Sequence, residues 1–285
     1  MRKVTIFIAG LSLLLVLAAG LTGCGKKAET LEQMRVDGKK ALDAGEFNRA
    51  VNIYKQALKE KPSDRDLLYY LGLSFKRLDM IDSALVYLRR AKLLNPRDRE
   101  INKELIELCP AVGDFEGAIK AIAVMISTGD NEQMYWPALA ELYFLVDDSY
   151  MAAKYNALLI AADSDLAPAY MKLATSYSKM GRYGQSNEVM FRALDRFGPL
   201  AETCGNIGIN YVGLQQFEEA EVYFRLSLEI DPEHAPTALN LAHALGEQDD
   251  RAKKEEALRI YRQYASQAPP AYNVDSIISV LEGQL

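Results

Sequence analysis

The stretch AETCGNIGINYVGLQQFEEAEVYFRLSLEIDPEH, residues 201–234, carries the pattern that decides the fold. Small residues, large apolar residues and one proline stand at fixed distances from one another within it. Counted from its first residue, positions 8, 11, 20, 24, 27 and 32 are Gly208, Tyr211, Ala220, Phe224, Ser227 and Pro232. Because the same six positions recur elsewhere in the chain, they define a repeat that can be followed along it.

The pattern returns every 34 residues. Residues 65–98 have Gly72, Phe75, Ala84, Leu88, Ala91 and Pro96 at the same positions, and residues 31–64 have Gly38, Ala41, Ala50, Tyr54, Ala57 and Pro62. Six copies follow without a gap: 31–64, 65–98, 99–132, 133–166, 167–200 and 201–234. A seventh, 235–271, fits if three residues are inserted in its turn, which aligns Ala257, Tyr261, Tyr264 and Pro269. These copies are called repeats 1 to 7.

Each repeat carries two helical stripes. Positions 4, 7, 8 and 11 are spaced i, i+3, i+4 and i+7, the spacing of one helix face; in repeat 2 they are Leu68, Leu71, Gly72 and Phe75. Positions 20, 24 and 27 form the matching stripe of a second helix. Since positions 8 and 20 are small, the two backbones can approach closely. We therefore predict two helices, A and B, in every repeat.

Helix ends can also be read from the chain. Pro96 and Pro232 end helix B, because the residue before a proline is pushed out of the α region. After repeat 7, Val274, Ile277, Ile278 and Leu281 again have helical spacing, with polar residues between them. We predict that residues 272–285 form a helix that covers the end of repeat 7.

The 34-residue pattern resembles the tetratricopeptide repeat, a helix–turn–helix signature with small, aromatic and proline residues at these positions. The resemblance covers residues 31–271. It implies an all-α fold: a right-handed α-solenoid of seven helix–turn–helix units with a C-terminal capping helix. One helix pair cannot bury its apolar face, so neighbouring pairs must stabilise each other. Such repeats bind partners far more often than they catalyse reactions.

The N-terminal residues indicate an export signal. Arg2 and Lys3 precede an apolar run from Val4 to Ala19 that is shorter than the roughly 20 residues of a spanning helix. Leu21-Thr22-Gly23-Cys24 then resembles the lipobox of bacterial lipoproteins. The resemblance implies a signal peptide over residues 1–23, acyl chains such as palmitate on Cys24, and a short tether over residues 24–30. The alternative is an ordinary signal peptide with an incidental cysteine.

The resemblance also suggests where in the cell the protein is located. The residue after Cys24 is Gly25 and not an aspartate, which favours an outer-membrane lipoprotein facing the periplasm. In a single-membrane bacterium the expected place is the outer face of the cytoplasmic membrane. Removing residues 1–23 takes away two basic residues and no acid, so the net charge falls from −6 to −8. An acidic chain argues against nucleic acid as a partner, and against electrostatic adhesion to anionic lipid.

Motifs for catalysis are missing from the sequence. His234 and His243 are the two histidines, no His-Glu-x-x-His occurs, and no cysteine pair has metal-ligand spacing. Cys109 and Cys204 lie three repeats apart, too far for a disulfide that needs Cα atoms within about 7 Å, so we expect buried thiols. We predict no catalytic residue, no metal and no cofactor.

Positions 2, 5, 9 and 12 of helix A point away from helix B and are predicted to line a concave groove. The predicted partner-binding residues are Arg35, Lys39, Tyr69, Leu73, Glu107, Glu141, Phe144, Met171, Ile209, Val212, Leu239 and His243. The apolar ones suggest a docking strip for a helix or an extended peptide. The alternative is that curvature or the C-terminal helix already covers them.

The sequence therefore predicts a membrane-anchored scaffold or adaptor that binds envelope proteins or peptides, with Cys24 in the lipid bilayer. An assembly factor for a pilus, secretion or exopolysaccharide-export system is an alternative. A periplasmic peptide- or glycan-binding protein is another. Nothing in the residues separates pilus assembly, docking of cell-wall hydrolases and exopolysaccharide export, and the few groove aromatics beyond Tyr69 and Phe144 make sugar stacking weak.

Overall fold

The computed structural model describes residues 30–163, 165–268 and 273–285, and this part of the chain is helical without a strand. Its helices are α1 (30–43), α2 (Phe47–Glu60), α3 (Arg65–Arg77), α4 (Ile81–Leu94), α5 (Arg99–Leu108), α6 (Phe115–Ser127), α7 (Trp136–Leu145), α8 (Ser149–Ala162), α9 (Ala167–Lys179), α10 (Tyr183–Phe197), α11 (Ala201–Gly213), α12 (Phe217–Ile230), α13 (Ala235–Gly246), α14 (Arg251–Tyr264) and α15 (Val274–Glu282). The predicted signal peptide, Cys24, the tether up to residue 29 and Pro269 lie outside the described residues.

The chain divides into two compact units, Met1–Asn131 and Glu132–Leu285. Helices α1 to α6 belong to the N-terminal unit and α7 to α15 to the C-terminal unit. In each unit, helices that follow one another in sequence pack together. The turns within pairs are short, which makes the paired helices antiparallel. The predicted all-α fold of helix pairs is confirmed, and the repeat bounds stay sequence predictions.

Close contact between helices A and B forms the core of each pair. A Cβ atom on Gly208 would lie 2.6 Å from the ring of Phe224, and one on Gly38 would lie 2.7 Å from the ring of Tyr54. Both rings are fully buried. Position 8 therefore has to be small in these repeats because the large residue at position 24 occupies the space above it.

Each of the first six A–B turns contains one left-handed residue, always at position 15. Three are Gly45, Gly113 and Gly181, and the other three are Asp79, Asp147 and Gln215, with φ between 58° and 77°. The next backbone N–H donates to the carbonyl of position 11 in all six turns, at 2.8 to 3.0 Å. This bond closes a Schellman motif, which ends helix A and reverses the chain.

Repeats 3 and 4 depart from the regular pattern. Helix α5 ends at Leu108 and a short 3-10 turn, Pro110–Val112, replaces its last turn, since Pro110 has no N–H to donate. Helix α7 begins only at Trp136, after a second 3-10 turn, Glu132–Tyr135. Both A helices are therefore 10 residues long, against 13 for α3 and α9.

The C-terminal helix α15 caps the last pair, as predicted. Val274 and Leu281 are buried, and Leu281 lies against Gly246 of α13, where an added Cβ would be 3.3 Å from it. An ion pair of 2.5 Å joins Arg262 of α14 to Glu282 of α15. The exposed side of α15 carries Asp275, Ser276 and Ser279, so the end of the stack presents polar groups to water.

We expect position 15 to respond to substitution through the backbone alone. Gln215→Gly removes a left-handed strain of roughly 1 kcal/mol and should stabilise the protein, while Gly181→Ala should destabilise it by a similar amount. No atom lies within 4 Å of a Cβ built on Gly181, so packing does not enter. Urea midpoints measure both changes. Gly184→Ala, at a site equally open but without positive φ, is the control; the same shift in Gly181→Ala and Gly184→Ala would contradict the prediction.

Candidate partner-binding surfaces

The predicted groove residues fall in both compact units. Arg35, Lys39, Tyr69, Leu73 and Glu107 lie on α1, α3 and α5 of the N-terminal unit. The other seven lie on A helices of the C-terminal unit. Each unit therefore presents its own A-helix surface.

Two cavities lie on the A-helix surface of the N-terminal unit. One of about 510 Å³ is lined by Leu42, Leu73, Lys76 and Glu104, among others. The second, of about 280 Å³, is lined by Arg35, Lys39 and Asp66, among others. Tyr70 lines both cavities.

Tyr70 sits at position 6 and was not predicted as a surface residue. Its ring stacks on buried Tyr54 at 5.8 Å and is tilted against Tyr69 at 5.3 Å. Tyr70 is therefore held by two neighbouring rings where it lines both cavities. The signal that could have found Tyr70 is its helical spacing, because position 6 lies four residues after position 2 and three before position 9, which both belong to the predicted groove stripe.

Charges on this surface are already paired within the unit. Arg35 forms ion pairs with Asp64 and, at 3.5 Å, with Asp66. Lys76 reaches Glu104 at 2.7 Å and Glu107 at 2.6 Å. A charged ligand would have to replace these ion pairs with its own. We therefore expect the surface to select a ligand by the arrangement of its charges more than by its net charge.

Burial alters the acid–base behaviour of two groups here. The pKa of Tyr69 rises to about 12, because of burial and the nearby carboxylates of Glu104 and Glu100, so the phenol stays neutral and can donate a hydrogen bond. For Asp64, burial raises the pKa, but hydrogen bonds from Lys61 and the Leu67 backbone and the charge of Arg35 outweigh it. The pKa of this carboxyl therefore lies below its ordinary value of 3.8.

In the C-terminal unit, Phe144 and Glu141 of α7 meet two lysines of α9. The ammonium groups of Lys172 and Lys179 lie 5.9 Å and 5.2 Å from the centre of the Phe144 ring. Lys172 also pairs with Glu141, and Lys179 with Asp147 at 2.5 Å. Phe144 is thus half-buried under lysine stems rather than open, and it offers less apolar surface than its residue type suggests.

The apolar strip predicted on α9, α11 and α13 is only partly open. Ile209 is 46% exposed and Met171 is half-buried, with the Thr203 hydroxyl 3.6 Å from its sulfur. Leu239 is 3% exposed, so its predicted place in the groove is wrong. It belongs to the core cluster that includes Val274 and Leu281 of α15, and half-buried Val212 packs against this cluster. For Leu239 and Val212 the alternative expectation, that these groove residues are covered, therefore holds.

Ile209 borders a cavity of about 330 Å³ between α11 and α13. Gly205 contributes no side chain to its lining, and the carboxamides of Asn206 and Asn240 also line it. Both asparagines are at position 6, in repeats 6 and 7, the same position as Tyr70. Neither makes a side-chain hydrogen bond to the rest of the described chain. Two donor–acceptor groups beside an exposed isoleucine are therefore ready for a ligand.

His243 lies at another cavity, of about 530 Å³, between α13, α14 and α15. Tyr261, Ile277 and Leu281 line its apolar side, and His243, Glu247 and Lys254 its polar side. The His243 ring meets Phe217 edge-on at 6.2 Å, and its Nδ1 is 3.9 Å from Glu247. Sequence patterns did not predict this cavity, because its shape depends on how the capping helix α15 packs against α13 and α14.

Chemistry-bearing groups are scarce in the described residues. Among residues 30–163, 165–268 and 273–285, no three His, Cys, Asp or Glu side chains are placed to hold a metal ion together. Cys109 and Cys204 are buried and unpaired, and burial raises the pKa of both thiols. None of the described helices has the length and apolar character that crossing a membrane requires.

Comparisons with known proteins agree with this geometry. Tetratricopeptide repeat models match residues 201–234 and residues 66–97. The first range has the bounds of repeat 6, and the second lies inside repeat 2. Together with the helix pairs, these matches show that the chain is a tetratricopeptide repeat protein. Proteins built from this repeat generally act as binding scaffolds.

Three similar proteins show how far the similarity in sequence and fold extends. Superkiller protein 3 of Schizosaccharomyces pombe is 28% identical over 123 residues, which are 43% of this chain and 9% of that protein. BBSome complex member BBS4 of Bos taurus is 22% identical over 230 residues, 79% of this chain and 43% of that protein. A chain in the solved Naa15/Naa10 complex bound to HypK-THB has a TM-score of 0.61 at 19% identity, over 87% of this chain and 39% of its own. This chain spans less than half of each relative, and the likeness concerns the fold.

We expect the contribution of Asp64 to depend on pH in a defined direction. A depressed native pKa means that the charged form stabilises the fold above the ordinary value of 3.8 and that this stability is lost as pH falls through the native value. Asp64→Asn should cost about 1–2 kcal/mol at pH 7 and progressively less below pH 3.8.

Urea midpoints at neutral and acid pH test this. Asp66→Asn is the control, because Asp66 binds the same Arg35 but is 45% exposed; we expect it to change stability by less than about 0.5 kcal/mol. A cost for Asp64→Asn that is equal at every pH would mean that the charge of Asp64 does not stabilise the fold.

Proposed function

We propose that this chain is a lipid-anchored scaffold of the bacterial cell envelope, which binds peptides or helices of partner proteins on its A-helix surfaces. The observation that carries the binding role is the surface of α11 and α13. There Ile209 stands beside the unpaired carboxamides of Asn206 and Asn240. The tetratricopeptide fold supports a protein partner.

The chemistry of this surface suits a peptide main chain. A carboxamide can donate to a peptide carbonyl and accept from a peptide N–H at the same time. Asn206 and Asn240 occupy the same position in neighbouring repeats, so each can reach a different peptide unit of one bound segment. Exposed Ile209 then offers contact to an apolar side chain of the ligand.

The anchoring part of the proposal rests on sequence. Arg2 and Lys3, the apolar run and Leu21-Thr22-Gly23-Cys24 are similar to a lipoprotein signal, and Gly25 favours the outer membrane over retention at the inner one. Two or more acyl chains hold a protein stably, whereas a single chain does so only marginally. Acylated Cys24 would keep repeat 1 within a few residues of the lipid surface.

A second candidate is a periplasmic protein that binds a small peptide or glycan. The cavity of about 530 Å³ beside α15 favours it, because its size is in the range of small-ligand sites and His243, Lys254 and Tyr261 line it. Assembly of a pilus, secretion or exopolysaccharide-export system would be a particular case of the scaffold role.

Binding on α11 and α13 predicts a specific loss. We expect Ile209→Asp to reduce crosslinking of partner proteins in intact cells at least about tenfold, because a charge replaces the apolar contact. The fold should not change, since Ile209 is 46% exposed. A photo-crosslinking residue at position 202, where Glu202 lines the same cavity, provides the measurement. Val222→Asp, on an exposed side chain of α12, is the matched control; equal crosslinking in wild type and Ile209→Asp would refute this surface.

The anchor has its own test. We expect the wild-type protein, expressed in a bacterium that processes lipoproteins, to incorporate a fed palmitate analogue and to sediment with membranes. Cys24→Ser should lose the label, because the thioether sulfur is gone. Mass spectrometry of the N-terminal peptide shows whether cleavage occurs before residue 24. A labelled Cys24→Ser protein, or an unlabelled wild type, would contradict the lipoprotein assignment without affecting the binding surface.

A further inference from the structure

Helices α2 and α4 of the N-terminal unit each expose a stripe at positions 22, 25, 26 and 29, on the side opposite helix A. All eight residues are exposed, four are basic, two are amides, two are apolar, and none is acidic. We call them the basic stripe: Asn52, Lys55, Gln56, Lys59, Val86, Arg89, Arg90 and Leu93. This concentration of positive charge stands out in a chain of net charge −6.

The apolar members of the basic stripe protrude into water. Val86 is 54% exposed and Leu93 is 81% exposed, the largest value among the exposed large hydrophobic residues of the described chain. They do not line any of the four cavities described above. A leucine that protrudes among cations fits a deformable surface better than it fits the preformed pocket of a folded partner.

The two halves of the stripe form one surface. The Lys55 ammonium lies 5.2 Å from the centre of the Phe75 ring, which stacks on Tyr87 at 5.5 Å. On the other side, the Arg90 guanidinium lies 5.5 Å from the Tyr87 ring and donates a hydrogen bond of 3.2 Å to the carbonyl of Pro62. These contacts connect α4 to α2 and its following turn, so Lys55 and Arg90 are held at one stacked pair of rings.

Most of this charge is available to a partner. Arg89 pairs with Asp114 at 2.5 Å. Lys55, Lys59 and Arg90 form no ion pair with the described residues. Three cations of the stripe therefore have no carboxylate partner among the described residues, and they are on the same two helices as Val86 and Leu93.

The stripe is not a general property of the repeat. At the same positions α12 has Val222, Arg225, Leu226 and Glu229, and Arg225 is held by Glu221 at 3.0 Å and Glu256 at 2.8 Å. Val222 matches Val86 in residue type and repeat position, and is 62% exposed. The C-terminal unit thus contains an internal control that has no net positive charge at the same four positions.

We propose that the basic stripe of α2 and α4 rests on an anionic lipid headgroup layer. Lys55, Lys59 and Arg90 would contact headgroup phosphates, while Leu93 and Val86 enter the interface between headgroups and acyl chains. Basic side chains around exposed apolar ones are the combination by which helices lie on anionic membranes. The apolar run from Val4 to Ala19 and Cys24 directly precede these repeats in sequence, which favours a lipid over an acidic protein as the occupant.

A matched pair of labels tests this. The full chain carries Cys24→Ser and either Val86→Cys or Val222→Cys, each with an environment-sensitive fluorophore; Cys109 and Cys204 are buried and do not compete for label. Vesicles of phosphatidylcholine, with or without phosphatidylglycerol and with brominated lipid as quencher, are recovered by flotation. We expect phosphatidylglycerol to increase quenching at residue 86 and not at residue 222.

Charge variants separate lipid contact from chance proximity. Each cation near an anionic surface changes the affinity about fivefold, so Lys59→Glu with Arg90→Glu should abolish the increase at residue 86. Arg251→Glu with Arg259→Glu, on exposed sites of α14, should leave it unchanged. High salt should also remove it. Equal quenching at residues 86 and 222, or no response to phosphatidylglycerol, would overturn the proposal and leave the stripe to an acidic protein or to solvent.

Discussion

The close approach of helices A and B within each pair is the constraint on which the rest of the structure depends. In repeats 1, 2 and 6 the residue at position 8 is a glycine that lies directly under the large side chain of position 24, as Gly208 does under Phe224. This contact sets the distance between the helices, and the left-handed residue at position 15 sets the direction in which helix B leaves helix A. With both fixed, positions 5, 6 and 9 of helix A and positions 22, 26 and 29 of helix B must face outward on opposite sides of the pair.

Several ion pairs among the described residues connect one repeat to the next. Lys76 pairs with Glu107, Lys172 with Glu141, and Arg225 with Glu256, in each case across about one repeat length. Stability in such an arrangement is close to a sum of neighbour terms. A repeat can therefore lose apolar residues for a binding role without unfolding the others. The surface asparagines Asn206 and Asn240 occur in repeats 6 and 7, whose Phe224 and Leu245 stay fully buried.

The repeat period predicted the fold well because its recurring positions are the residues that are buried between the two helices of each pair. Positions 8, 20 and 24 are read directly from residues such as Gly72, Ala84 and Leu88, and the structure buries all three. Position 15 went unnoticed because Gly181, Asp147 and Gln215 share a backbone conformation and no side-chain property. Surface predictions were less successful. Leu239 is covered because it belongs to the last pair, where α15 changes the environment, and no pattern within one repeat contains that information.

The net charge of the whole sequence and the local charge of single helices lead to different expectations about partners. A net charge of −6 argues against anionic partners when the chain is treated as a point. Net charge does not decide what a local surface binds, because at physiological salt a charge is felt over only about 8 Å. What a partner meets is the local face. On α2 and α4 that face has no carboxylate at its eight outward positions, whereas the same positions of α12 include Glu229 and an Arg225 that is paired with Glu221 and Glu256. The repeat keeps the interior constant and leaves the outward positions free to differ, so binding specificity in this protein has to be sought one face at a time.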